Sequence, residues 1–132
     1  LTGLEIGGPK IDNLAVAVVC ELPHLNYLTI YAPSSVDDDC VESLSKLTQL
    51  TRLGLSGQPI TDGAAKDLGK LNALLVLWVA GTRLTDASVP ELCKLQHLNA
   101  LDISGTQITA TGLNALKAAL PDCDIKSTVA QD

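Results

Sequence analysis

A chain of 132 residues fits one domain and is long enough to bury a core. Apolar residues make up 46%, yet Phe and Met are absent and only Tyr27, Tyr31 and Trp78 are aromatic, so the interior must be built from Leu, Ile, Val and Ala. Nine Lys and Arg against fifteen Asp and Glu leave a net charge of −6, which excludes a phosphate-neutralising nucleic-acid surface, and no apolar run approaches the ~18 residues of a membrane span.

The apolar residues recur with a period of 24, at relative positions 1, 4, 6, 11, 16 and 19. The first copy holds Leu1, Leu4, Ile6, Ile11, Val16 and Val19. The second, Leu25, Leu28, Ile30, Val36, Val41 and Leu44, is one residue longer, and the extra residue falls in Ala32-Pro33-Ser34-Ser35. Copies then start at Leu50, Leu74 and Leu98 and run with the same spacing, through Leu68, Leu92 and Leu116. Such self-similarity is the mark of a repeat architecture.

Within each copy the periodicity changes. Positions 4 and 6 alternate with variable residues, which predicts a short strand with one buried face. Position 8 is Gly in four copies (Gly8, Gly57, Gly81 and Gly105), as a sharp exit from a strand often requires. Thr61-Asp62, Thr85-Asp86 and Thr109 follow position 11, where helix N-caps are expected. Ser88-Val89-Pro90-Glu91 reads as a capping box with Pro in the first turn, and Asp39 and Glu42 have the same relation one copy earlier. Positions 16, 19 and 22 or 23 then form a helical stripe. Pro121-Asp122-Cys123-Asp124-Ile125 predicts a short closing strand.

One strand and one helix cannot bury their own apolar faces, but stacked copies can. Helices are wider than the ~4.8 Å strand spacing, so the stack must curve with its strands inside. The segment Leu98-x-x-Leu101-x-Ile103-Ser104-Gly105-Thr106-x-Ile108-Thr109, with Leu50 to Asp62 and Leu74 to Asp86, resembles a leucine-rich repeat. The style of helix entry resembles the cysteine-containing and related bacterial subclasses. The family's usual Asn or Cys at position 9 is replaced by Pro9, Gln58, Thr82 and Thr106, so side-chain hydroxyls or amides are expected to bond the turn backbone instead. The expectation is an α/β leucine-rich-repeat solenoid, with parallel strands on the concave face and helices on the convex face. Its repeats start at 1, 25, 50, 74 and 98, the domain covers 1–125, and 126–132 form a polar tail. No polar capping segment precedes Leu1, so the chain is expected to be a piece of a longer protein, or to pack its N-terminal edge on something.

The resemblance implies a protein-binding scaffold. The residues say where a partner would sit, because positions 3, 5 and 7 of each strand point away from the core. They collect Tyr27, Arg52 and Val76 in one column, Glu5, Thr29, Gly54, Trp78 and Asp102 in the next, and Tyr31 in the third. All three aromatics therefore share one face with Arg52, and aromatics and Arg dominate binding hot spots. Gly54 is expected to leave a hollow beside Trp78, and Glu5 and Asp102 to frame the patch with negative potential. The candidate binding residues are Tyr27, Tyr31, Arg52, Trp78, Thr29 and Asp102, and the expected partner is a protein or peptide. The alternative is structural, with self-association or packing through the edge around Leu1 to Ile6.

Neither catalysis nor a metal or other cofactor is expected. His24 and His97 are three repeats apart, about 14 Å, too far to share a metal. Asp37, Asp38, Asp39 and Glu42 lack the calcium-loop pattern and suit a helix N-terminus. Glu5 and Asp102, about 19 Å apart, cannot act as an acid–base pair. Cys20, Cys40, Cys93 and Cys123 have no C-x-x-C spacing and read as free thiols, which leans toward a cytoplasmic setting.

Overall fold

The computed structural model describes residues 2–32, 34 and 36–129. Leu1, Pro33 and Ser35 of the longer second copy, and positions 130–132 of the expected tail lie outside the described residues. Six strands are found among the described residues: β1 (Gly3–Gly7), β2 (Tyr27–Tyr31), β3 (Arg52–Gly54), β4 (Val76–Trp78), β5 (Ala100–Asp102) and β6 (Asp124–Lys126). They form one parallel sheet in chain order. The register pairs equal repeat positions, so Leu4, Leu28, Leu53, Leu77, Leu101 and Ile125 make a single ladder. A slip of one residue would turn that whole ladder to solvent, which is what holds the register.

The strands leave the sheet through the position-8 glycines, with φ of 123°, 79°, 70° and 71° at Gly8, Gly57, Gly81 and Gly105. Position 9 bonds its own turn at Thr82 and Thr106, as the sequence implied, whereas Gln58 reaches back to the preceding strand. The Thr82 and Thr106 hydroxyls donate to the Val79 and Ile103 carbonyls at 2.7 Å, and the Gln58 amide donates to the Ile30 carbonyl at 3.2 Å. The Val79 and Ile103 carbonyls thereby gain a second donor beside the Thr82 and Thr106 amides, each at 3.3 Å.

The helices are α1 (Asn13–Val19), α2 (Asp38–Leu44), α3 (Ala65–Leu68), α4 (Val89–Leu92) and α5 (Ala110–Ala119). Single 3-10 turns at Asp62–Ala64 and Asp86–Ser88 lead into α3 and α4, capped by Thr61 and Thr85, whose hydroxyls accept from the Gly63 and Ala87 amides at 3.2 Å. Three details differ from the sequence reading. Ser88 makes no capping bond, because its buried hydroxyl donates to Asp62 of the preceding repeat. The cap of α2 is Asp37, not Asp39, and it accepts from the Asp39 amide at 3.1 Å. Thr109 precedes α5 but its side chain caps nothing, since its hydroxyl is given to Asp86. Lys126 pairs with Asp102 in β6, and Val129 packs partly buried against the core.

The differences at Ser88 and Thr109 share a cause, a polar clamp between repeats on the helix-entry side. The carboxylate at position 13 of one repeat takes both the amide and the hydroxyl of the threonine at position 12 of the next. Asp38 holds Thr61, Asp62 holds Thr85 and Asp86 holds Thr109, with amide distances of 2.7, 2.8 and 2.8 Å. The first joint uses an amide instead: Asn13 Nδ2 donates to Asp37 Oδ1 at 2.6 Å, and the Asp37 amide donates back at 3.1 Å.

The interior is aliphatic, and among the described residues no aromatic side chain is fully buried. The ladder leucines of the second to fifth repeats are all but fully buried, while Leu4, Ile6, Ile11 and Val19 of the first are only partly covered. Cys40 is buried, the other three cysteines are half-buried, and all four are free thiols whose pKa is pushed up chiefly by burial. No helix among the described residues is long and apolar enough to cross a membrane.

Burial is the largest single influence on the Asp62 carboxyl and raises its pKa, but the bonds from Ser88 and Thr85 together outweigh it and hold the pKa below the usual aspartate range. Asp62→Ala, which strands the buried Ser88 hydroxyl and the Thr85 amide, is expected to cost about 2 kcal/mol in urea denaturation at neutral pH. A carboxyl with a lowered folded-state pKa stabilises above its unfolded value and loses that contribution as pH falls through the folded one. The deficit of Asp62→Ala should therefore persist at neutral pH and shrink below about pH 3.9.

Candidate binding face of the sheet

Each aromatic ring on the outward face of the sheet is accommodated by a glycine on the preceding strand. A Cβ on Gly3 would stand 3.0 Å from Tyr27 Cδ2, and one on Gly7 would stand 2.9 Å from Tyr31 Cβ. A Cβ on Gly54 would stand 2.9 Å from Thr29 Oγ1 and 3.1 Å from Trp78 Cε3. The rings of β2 thus lie over β1, and Trp78 of β4 lies over β3, an arrangement in which aromatics cover neighbouring glycines. The space expected at Gly54 is partly filled by Trp78 itself.

Lying over β1 brings both phenols to Glu5. The Tyr27 hydroxyl donates to Glu5 Oε1 at 2.5 Å and the Tyr31 hydroxyl donates to the same oxygen at 2.9 Å. The bond from Tyr27, then that from Tyr31, holds the Glu5 carboxyl below its ordinary pKa against a smaller opposing effect of desolvation. Tyr31 moves the other way, first through its bond to Glu5 and then through desolvation and the carboxylate charge. Glu5, expected as a distant frame, is instead tied directly to the aromatic pair.

Two hollows open on this face. The first, about 240 Å³, is lined by Tyr27, Thr29, Ile30, Tyr31, Gly54, Ser56 and Trp78. Thr29 forms part of its floor, 8% exposed, and its Oγ1 has no hydrogen-bond partner. The second, about 210 Å³, is lined by Trp78, Ala100, Leu101, Asp102, Asp124 and Lys126, so Trp78 is a wall of both. Of the sequence candidates, Tyr27, Tyr31, Thr29 and Trp78 come together in the first hollow and Asp102 lies in the second. Arg52 is exposed in register between Tyr27 and Val76 and lines neither. Asp124 and Lys126 were missed because the columns were not continued onto the closing strand, although that strand was expected. Among the described residues no group of three or more His, Cys, Asp or Glu side chains is placed to hold a metal ion.

No protein-family model and no curated protein sequence matches this chain. Solved structures do. An internalin (inlF) from Listeria monocytogenes is similar with a TM-score of 0.67 and 17% identity, over 100% of this chain and 43% of its own. Internalin C2 from the same organism gives 0.67 and 19%, over 99% and 64%. The Arabidopsis receptor kinase HAESA, in complex with the peptide hormone IDA and the co-receptor SERK1, gives 0.63 and 24%, over 96% and 22%. The chain has the leucine-rich repeat fold. It spans less than two thirds of the length of each of these neighbours.

In this leucine-rich repeat the face described above is the concave one, and its shape depends on Gly54. Gly54→Ala must displace Thr29 or the Trp78 ring. We expect a loss of about 1–3 kcal/mol in chemical denaturation, with a shift in Trp78 emission, the single tryptophan reporting the displaced ring directly.

Proposed function

We propose that this leucine-rich repeat segment is a non-catalytic recognition module that binds a protein or peptide on its concave sheet. The observation that carries the reading is the removal of all aromatic residues from the core to one exposed face, where they surround a hollow. An aliphatic interior gains nothing from them there, and rigid aromatic area is the usual source of interface energy. HAESA, a structural neighbour of the same fold, is solved with a peptide hormone, which fits this reading.

The test is selection of a displayed peptide library on the immobilised chain. Enriched peptides should lose about tenfold or more in affinity on Trp78→Ala or Tyr31→Ala, a loss typical of hot-spot side chains. Both variants should keep a near-native denaturation midpoint, since neither ring belongs to the buried core. Binding that survives both substitutions, or a library that yields no binder, overturns the concave-face reading.

A second reading is an assembly role for the first repeat. Its helix α1 exposes Leu14 and Val18 to 75% and 63%, beside the half-covered Leu4, Ile6 and Ile11. An apolar end of this kind is suited to packing on a second copy or a neighbouring domain. Sedimentation velocity across a wide concentration range should then show association that Leu14→Asp with Val18→Asp abolishes. A monomer at every concentration sinks the self-association version.

A further inference from the structure

We infer that the hollow between Tyr27, Tyr31 and Trp78 receives a basic side chain of the partner, an arginine before a lysine. The inference rests on the concave face being the binding surface, and adds the chemistry of what that face recognises. It follows from the rings that line the hollow and the carboxylate they hold. A phenol has one proton, and both Tyr27 and Tyr31 give theirs to Oε1 of Glu5. The two phenol oxygens are left with lone pairs alone, and Glu5, outside the lining but tied to both rings, keeps a second acceptor oxygen; the Ser56 hydroxyl, which accepts from the Ala80 amide, is a remaining donor in the lining. Held below its ordinary pKa by the same two bonds, Glu5 is charged at neutral pH.

An incoming group must therefore bring donors, and the best one brings positive charge. The lining adds ring faces of two tyrosines and a tryptophan, which attract a cation placed over them. A guanidinium is planar, carries five donors and stacks on aromatic faces, so it suits this combination better than the compact ammonium of lysine. At the floor, the unpartnered Thr29 Oγ1 is covered against the Gly54 backbone, a polar spot beneath the hollow rather than a contact point. An acidic side chain would come up beside the Glu5 charge with no cation in the lining to offset it, only the neutral Ser56 hydroxyl. An apolar one would fill the space and leave the Glu5 charge without a counterpart. The two cations of the face, Arg52 and Lys126, lie outside the lining of this hollow, and the chain as a whole carries a charge of −6. That balance complements a basic partner.

The experiment uses the full chain, labelled for amide NMR, and five end-blocked pentapeptides of the form Gly-Gly-X-Gly-Gly. The central residue is arginine, lysine, citrulline, glutamate or leucine. The arginine peptide should shift the Thr29 and Gly54 amides and the Trp78 indole in a saturable manner. Citrulline, which has nearly the shape of arginine and no charge, should bind about tenfold more weakly. Glu5→Gln keeps an acceptor for both tyrosines and removes the charge, so it should weaken the arginine peptide about tenfold and leave the citrulline peptide unchanged. Equal binding of arginine and citrulline, an unchanged response in Glu5→Gln, or preference for leucine or glutamate overturns the inference while leaving the face a peptide-binding surface. Silence of the hollow toward all five peptides also overturns it, and the broader reading then stands or falls on the displayed library alone.

Discussion

Parallel strands in this chain are bonded to the strand one repeat later with equal positions facing each other, and every other contact depends on that register. The leucine ladder Leu28, Leu53, Leu77 and Leu101 is buried only because the period places the same side chain on the same side of each strand. Fully burying one such leucine contributes about 2 kcal/mol, and the ladder repeats that gain at each level. The same register sets the opposite face. Tyr27 can reach Glu5, and Trp78 can cover Gly54, because their strands are aligned without offset.

On the helix-entry side, alignment brings a polar requirement. Turns and helix starts leave backbone groups without partners, and the chain meets this by linking each repeat to the next through Asp38, Asp62 and Asp86. Solenoid stability is close to a sum of nearest-neighbour terms, so a link that crosses every joint matters more here than one within a repeat. The first repeat has a neighbour on one side only among the described residues, and its apolar side chains are correspondingly less covered.

Much of the fold was legible because it is written several times over. A single Leu-x-x-Leu-x-Ile segment decides little, but the same spacing from Leu25 to Leu120 identifies strand, turn and helix, and the glycines at position 8 mark turns that do adopt positive φ. The outward columns were also readable, since alternation in a strand is geometric. What was not legible depended on two repeats at once. Ser88 looked like a local cap in its own sequence, yet its partner is Asp62, 26 residues earlier. Glu5 looked like an isolated charge, yet tyrosines 22 and 26 residues later lie over β1 and bond it. Local sequence shows which face a side chain takes, and not which way it leans along that face.

The leaning has a further consequence. With glycines on β1 and β3 yielding space, the aromatic bulk of the face lies over alternate strands, the tyrosines over β1 and Trp78 over β3. Two strand spacings measure about 9.6 Å, and three residues of extended chain advance about 10 Å. A polypeptide laid across the sheet would thus meet the tyrosines and Trp78 about three residues apart. The repeat count acts as a graduated scale, on which adding or removing one repeat shifts the spacing of these contacts by a fixed step.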